Sequence, residues 1–135
     1  MSRKVGLLGI VMVTFVALLA LVACGPKTAN LRIEMTDFKF SPDRWSVPSG
    51  SKVTLTLTNS GALDHTWIIM KKGTSVTSPF GTKDEPNVLW RANVKAGETQ
   101  TFNFDAPTDP GDYEVVCGEP AHLEQGMKGT LTVSQ

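Results

Sequence analysis

Histidine is scarce in this chain. There are two, His65 and His122, so no site in it can use more than two imidazoles. Cysteine is equally scarce, at Cys24 and Cys117. Net charge is absent, with 13 basic residues against 13 acidic ones. A balance of that kind offers no basic surface to a phosphate backbone, so nucleic acid is not expected as a partner. Internal repeats, a convincing helical period and a second domain are also missing. What remains is one small domain with alternating strands behind an apolar leader.

The leader is the one long hydrophobic run. Arg3 and Lys4 precede an unbroken apolar stretch over residues 5–23, which reads as a secretory signal. It ends in Leu21-Val22-Ala23-Cys24, which resembles the bacterial lipobox, where the cysteine is lipidated and becomes the first mature residue. An uncleaved transmembrane anchor is the alternative, since 19 residues nearly span a bilayer. Either way the positive end stays inside and the domain lies outside the cytoplasm. The expected division is therefore a signal peptide over 1–23, a lipidated N-terminus and tether over 24–30, and one domain over 31–135. Removing 1–23 takes away two basic residues and no acidic one, leaving 11 against 13 and a net charge of −2. The 112 residues left are enough for one domain with a core of its own. A six-residue tether reaches roughly 20 Å, which keeps that domain close to the membrane.

Within the domain the apolar period is two nearly everywhere. Leu31, Ile33 and Met35 alternate with polar residues, and Phe38 and Phe40 continue on the opposite parity, which predicts a bulge or bend at Thr36-Asp37. Residues 46–50, with a proline and a glycine, read as a turn. Residues 52–58 are the clearest strand, with Val53, Leu55 and Leu57 on one face and threonines on the other. Further strands are expected over 66–70, 88–94, 99–104 and 129–134, with another carrying Tyr113, Val115 and Cys117 on one face. Residues 71–85 have no period and read as a long surface loop, with room for one helical turn. Seven to eight short strands without a helix predict an all-β, antiparallel Greek-key β-sandwich, with a barrel as the second choice.

The chemistry concentrates in one loop. Cys117-Gly-Glu-Pro-Ala-His122-Leu-Glu-Gln-Gly-Met127 holds a thiol, an imidazole and a thioether, and His65 completes the set from upstream. One soft thiolate, two imidazoles and a weak thioether make the donor set of a mononuclear blue-copper electron-transfer site. The thiolate and thioether suit Cu(I), and the imidazoles serve both Cu(I) and Cu(II). Cys117 ends one strand and Gly129 begins the next, so the loop lies at one pole of the sandwich, where His65 must also arrive. In oxidising surroundings two cysteines raise the question of a disulfide. Cys24 in the tether and Cys117 in the loop each have a better use.

With Cys, four residues, His, four residues and Met, the chain resembles the cupredoxin family over about residues 31–133. The gaps look most like those of rusticyanin and auracyanin. The resemblance implies a cupredoxin-like sandwich and one copper ion held by His65, Cys117, His122 and Met127. It also implies that His122 has one ring edge at the surface, inside an apolar rim of Leu63, Pro120, Ala121 and Leu123 that docks redox partners. Those partners would be redox proteins, such as a membrane-bound respiratory or photosynthetic complex or a cytochrome c, met by a lipid-anchored monomer. Thr66 stands where many relatives carry an Asn or Ser that bonds across to the cysteine loop, and its hydroxyl offers the same bond. Pro120 cannot donate to the sulfur and stiffens the loop. Glu119 and Glu124 read as solvated, and Trp45, Trp67 and Trp90 as core and edge residues. The carbonyl of Asp64 is a further, distant donor candidate.

Rival functions fail on the same residues. Multicopper oxidases and copper nitrite reductases need additional histidine pairs, and nothing marks an oxyanion hole or substrate cleft beside Cys117 and His122, so no enzyme activity and no catalytic residue is expected. The dinuclear copper domain of cytochrome oxidase subunit II needs two cysteines in the loop, and this loop has one. A copper-binding lipoprotein for copper delivery or scavenging is the remaining alternative to a single-electron carrier.

Overall fold

The structure, a computed structural model, describes residues 25–135. The apolar leader and Cys24, with the signal and lipidation read from them, lie outside the described residues. Nine strands follow in order: β1 (Thr28–Thr36), β2 (Lys39–Ser41), β3 (Arg44–Pro48), β4 (Lys52–Asn59), β5 (His65–Met70), β6 (Val88–Val94), β7 (Thr99–Asp105), β8 (Gly111–Val116) and β9 (Lys128–Ser134). A single helical turn, Glu85–Asn87, precedes β6. One sheet has the order β2-β1-β4-β7 and the other β3-β9-β8-β5-β6. Two sheets packed face to face are the all-β sandwich expected from the alternation.

β4 illustrates why the strands sit as they do. Val53, Leu55, Leu57 and Asn59 are buried, while the threonines between them face outward. On that outer face Thr54 and Thr56 bond across to Asn103 and Thr101 at 3.1 and 3.2 Å, and Thr99 donates to Thr58 at 3.2 Å. Such cross-strand pairs each stabilise by a few tenths of a kcal/mol, roughly 0.2–1. The apolar face contributes more, since each fully buried Leu, Val or Phe is worth about 1.5–3 kcal/mol against exposure. Trp45, Trp67, Phe40 and Phe104 join these side chains between the sheets, and Trp90 packs at the edge.

β5 departs from alternation and is buried along its whole length. Trp67 and Ile69 face the inter-sheet core, whereas Ile68 and Met70 lie on the outer face under Val76 and Phe80 of the loop over residues 71–84. A continuous apolar run is what a strand covered on both faces requires.

Four expectations need correction. The sandwich is not wholly antiparallel: β1 runs parallel to β4, and β3 parallel to β9. There are nine strands rather than seven or eight because residues 46–48 extend a strand, with Trp45 and Val47 opposite Leu131 and Val133, and the turn is confined to Ser49 and Gly50. The expected tether is shortened, since Thr28, Ala29 and Asn30 already pair with Lys52, Val53 and Thr54. Finally, the expected bulge or bend at Thr36-Asp37 is a tight hairpin, in which Thr36 pairs with Lys39 across a two-residue turn of Asp37 and Phe38.

Candidate metal centre

Three strand ends converge at one pole. His65 opens β5, Cys117 follows the last residue of β8, and Met127 immediately precedes β9. His122 lies in the loop between β8 and β9. That loop is closed by backbone bonds from Cys117 N–H to Met127 O and from Met127 N–H to His122 O, both 3.1 Å. Met127 is fully buried with the inter-sheet core.

His65, Cys117 and His122 are all buried, and among the described residues they form the one group of three or more His, Cys, Asp or Glu side chains with metal-ligating spacing. The two Nδ1 atoms are 3.1 Å apart. Cys117 Sγ stands 3.4 Å from Nδ1 of His122 and 3.9 Å from Nδ1 of His65. The point equidistant from the three atoms lies about 2.0 Å from each, the length of a bond between imidazole nitrogen and a first-row metal. Three donor atoms at that spacing fit a single ion.

The surroundings act on two of these donors in opposite directions. Burial pushes the His65 imidazole below its ordinary value of 6.5, and the nearby His122 acts in the same direction, while Asp37 opposes both. His65 is therefore neutral, as a ligand must be. Burial pushes the Cys117 thiol up, and the N–H groups of Thr66 and Glu119 oppose it. Thr66 donates to the sulfur from its N–H at 3.5 Å and its hydroxyl at 3.7 Å, and accepts from Gly118 N–H at 2.7 Å. The threonine thus makes the cross-loop clamp expected of it.

Residues not singled out in the sequence complete the frame. Buried Asn59 donates to Leu63 O at 2.8 Å and Val94 O at 3.1 Å, and accepts from Gly61 N–H at 3.0 Å. Asp37 accepts from Ala62 N–H at 3.1 Å and Leu63 N–H at 3.3 Å, and its Oδ1 faces His65 Nε2 at 3.3 Å, off the line of a straight hydrogen bond. Phe38 meets His122 edge-on, with ring centroids 5.2 Å apart. The signal that finds this turn is its chemistry: a two-residue hairpin normally uses Asn-Gly or Asp-Gly, and Asp37-Phe38 departs from it. The rim also needs correction. Leu63, Pro120 and Ala121 are exposed, but Leu123 is buried beside Ile68 and Val116, and Phe38 takes its place. Asp64 uses its carboxylate on Ala96 N–H at 2.9 Å.

A two-sheet sandwich with a Cys-His-His centre at one pole defines the class of small β-sandwich metalloproteins. The chain belongs to the cupredoxin-like family, whose domain matches residues 9–133. It is 32% identical over 124 residues to Auracyanin-B of Chloroflexus aurantiacus, covering 80% of this chain and 52% of that protein. The chain thus spans about half the length of this curated relative. A reduced auracyanin from Roseiflexus castenholzii superposes with a TM-score of 0.66 at 27% identity, covering 82% of this chain and all of that one. A structure of auracyanin B gives 0.70 at 27% identity, with coverage of 84% and 94%. The cofactor is one copper ion, and a donor set of thiolate and two imidazoles fits it.

Proposed function

We propose that the chain is a mononuclear blue-copper carrier of single electrons, with the ion held by His65, Cys117, His122 and Met127. The triangle of donor atoms around one point carries this reading. Bound copper supplies a one-electron couple between Cu(II) and Cu(I). The protein's part is to keep the donors from rearranging between those states. Packed strand ends hold His65, Cys117 and Met127, and the Thr66 and Asn59 bonds lock the loops between them. One electron enters from a reduced partner protein and one leaves to an oxidised partner, without bond making.

Leu63 (46%), Phe38 (37%), Pro120 and Ala121 are exposed, and Phe38 lies edge-on to the buried His122. A small apolar patch suits the brief encounters of electron-transfer proteins. We further read the chain as an extracytoplasmic monomer anchored through Cys24 and without enzyme activity. Three buried donors disfavour a role in metal delivery, which needs ready release.

The test is a visible spectrum of the copper-loaded protein with metal analysis. An intense blue band and about one copper per chain are expected, and Cys117→Ser should abolish the band. A wild-type protein that binds copper without the band, or a serine variant that stays blue, overturns the assignment.

A further inference from the structure

The β1–β2 turn belongs to the four-stranded sheet, yet its two side chains reach both histidines of the centre. Asp37 touches the His65 side. Its carboxylate ties down the backbone of Ala62 and Leu63, three and two residues before His65, and its Oδ1 stands 3.3 Å from His65 Nε2. That nitrogen is fully buried and has no other hydrogen-bond partner among the described residues, and the Asp37 carboxylate faces it. The approach depends on Gly61: a Cβ there would overlap Asp37 Oδ1 and come within 3.0 Å of His65 Nε2. Phe38 touches the His122 side, edge-on at 5.2 Å.

Folding alone does not explain Phe38. Its backbone is left-handed, with φ of 68°, where a bulky side chain is a genuine outlier and Asn, Asp or Gly is usual. It is also one of the few large apolar residues left exposed. A strained backbone and an exposed aromatic ring at one position, both beside a metal centre, are features that cluster where function holds them.

We propose that the Asp37–Phe38 turn is a two-point clamp on the imidazoles, deepening the copper reading on which it rests. Asp37 holds His65 with its proton on Nε2, so that Nδ1 is bare toward Cys117 and His122. It also sets one negative charge beside the centre, which favours Cu(II) over Cu(I). Phe38 lies against the His122 ring and limits its rotation and its access to water. Both are positioning residues. Outer-shell carboxylates on metal-bound histidines act in this way, and removing one typically costs 10–100-fold in affinity.

The experiment uses Asp37→Asn, which keeps an acceptor for Ala62 and Leu63 N–H but loses the charge. The second variant is Gly61→Ala, which pushes a methyl group into the same contact. Nitrogen NMR of the metal-free protein at neutral pH should give the Nε2–H tautomer of His65 in wild type and a mixture in both variants. In the copper protein Asp37→Asn should lose about tenfold in its preference for Cu(II) over Cu(I), a rise of about 59 mV in reduction potential. Phe38→Asn, which tolerates the left-handed backbone, should speed solvent exchange of the His122 ring N–H in the Cu(I) form several-fold. Unchanged tautomer and unchanged potential in a blue Asp37→Asn protein overturn the Asp37 half, and unchanged His122 exchange overturns the Phe38 half. If wild type lacks the blue band, the copper reading fails instead, and the metal-free tautomer still decides what Asp37 does.

Discussion

His65 carries the largest conflict between folding and chemistry. It is an imidazole buried at the mouth of a core, held below its ordinary value of 6.5 mainly by desolvation. The folded chain therefore binds fewer protons there than the unfolded chain as pH falls. The stability it contributes is whole above about 6.5 and is lost as pH falls through the depressed folded value. Cys117 is the mirror case. Burial raises its thiol above the ordinary 9.0, so its contribution is whole below 9.0 and is lost as pH rises toward the folded value. The metal-free protein should accordingly be most stable between these limits. Thermal midpoints taken from about pH 5 to pH 10 will check this, and in His65→Asn the decline on the acid side should flatten. His65, Cys117 and His122 were legible in the sequence, because so few residues of their type exist. Asp37 and Phe38 were not, because nothing in a linear chain places residue 37 beside residue 65.

Among the elements, the segment joining β4 to β5 decides whether His65 arrives correctly. Asn59 ends β4 as its last buried residue, but its side chain is polar, where Val53, Leu55 and Leu57 are apolar. It serves three backbone groups, Leu63 O, Val94 O and Gly61 N–H. Asn59→Ala leaves all three without their partner, so we expect a loss of about 2–4 kcal/mol. Urea unfolding of the metal-free protein measures it, and a loss below about 1 kcal/mol would show that water replaces the side chain. Asn59-Ser60-Gly61 reads in the sequence as an ordinary turn, and it is one; its bracing role appears only with β6 alongside. β3 was hidden for a related reason. Pro48 and Gly50 signal a turn, and only the facing β9 reveals that Arg44–Pro48 is a paired edge strand whose proline closes it.

For the molecule as a whole, polarity of the strands matters most. β1 and β4 run in parallel from Thr28 and Lys52 to Met35 and Asn59, and Asn59 bonds directly to the loop before His65. Thr28 therefore lies at the far pole, about 26 Å from the other end of a nine-residue strand. A chain anchored just before Thr28 would leave its apolar rim free of the anchor. Among the described residues no helix is long and apolar enough to cross a membrane. If the anchor is lipid on Cys24, Cys24→Ser should move the protein from the membrane fraction to the soluble one. Its blue spectrum and its rate of electron self-exchange should match those of wild type. A variant that stays with the membranes would favour the uncleaved apolar run as the anchor.

Composition and periodicity by themselves determined the class of fold and singled out the candidate donors. Alternation along β4, β6, β7 and β9 demands two sheets with a shared core, and two histidines with the one cysteine of the domain leave few ways to bind a metal. Those are properties of residues and their near neighbours, where spacing along the chain is the spacing that matters. Tertiary structure alone decided the parallel pairing of β1 with β4 and β3 with β9, the burial of Leu123 and the exposure of Phe38. It alone brought Asp37 to His65 and Phe38 to His122. Each of these depends on which segments meet across the sandwich, and that is settled by packing between distant strands rather than by any local preference.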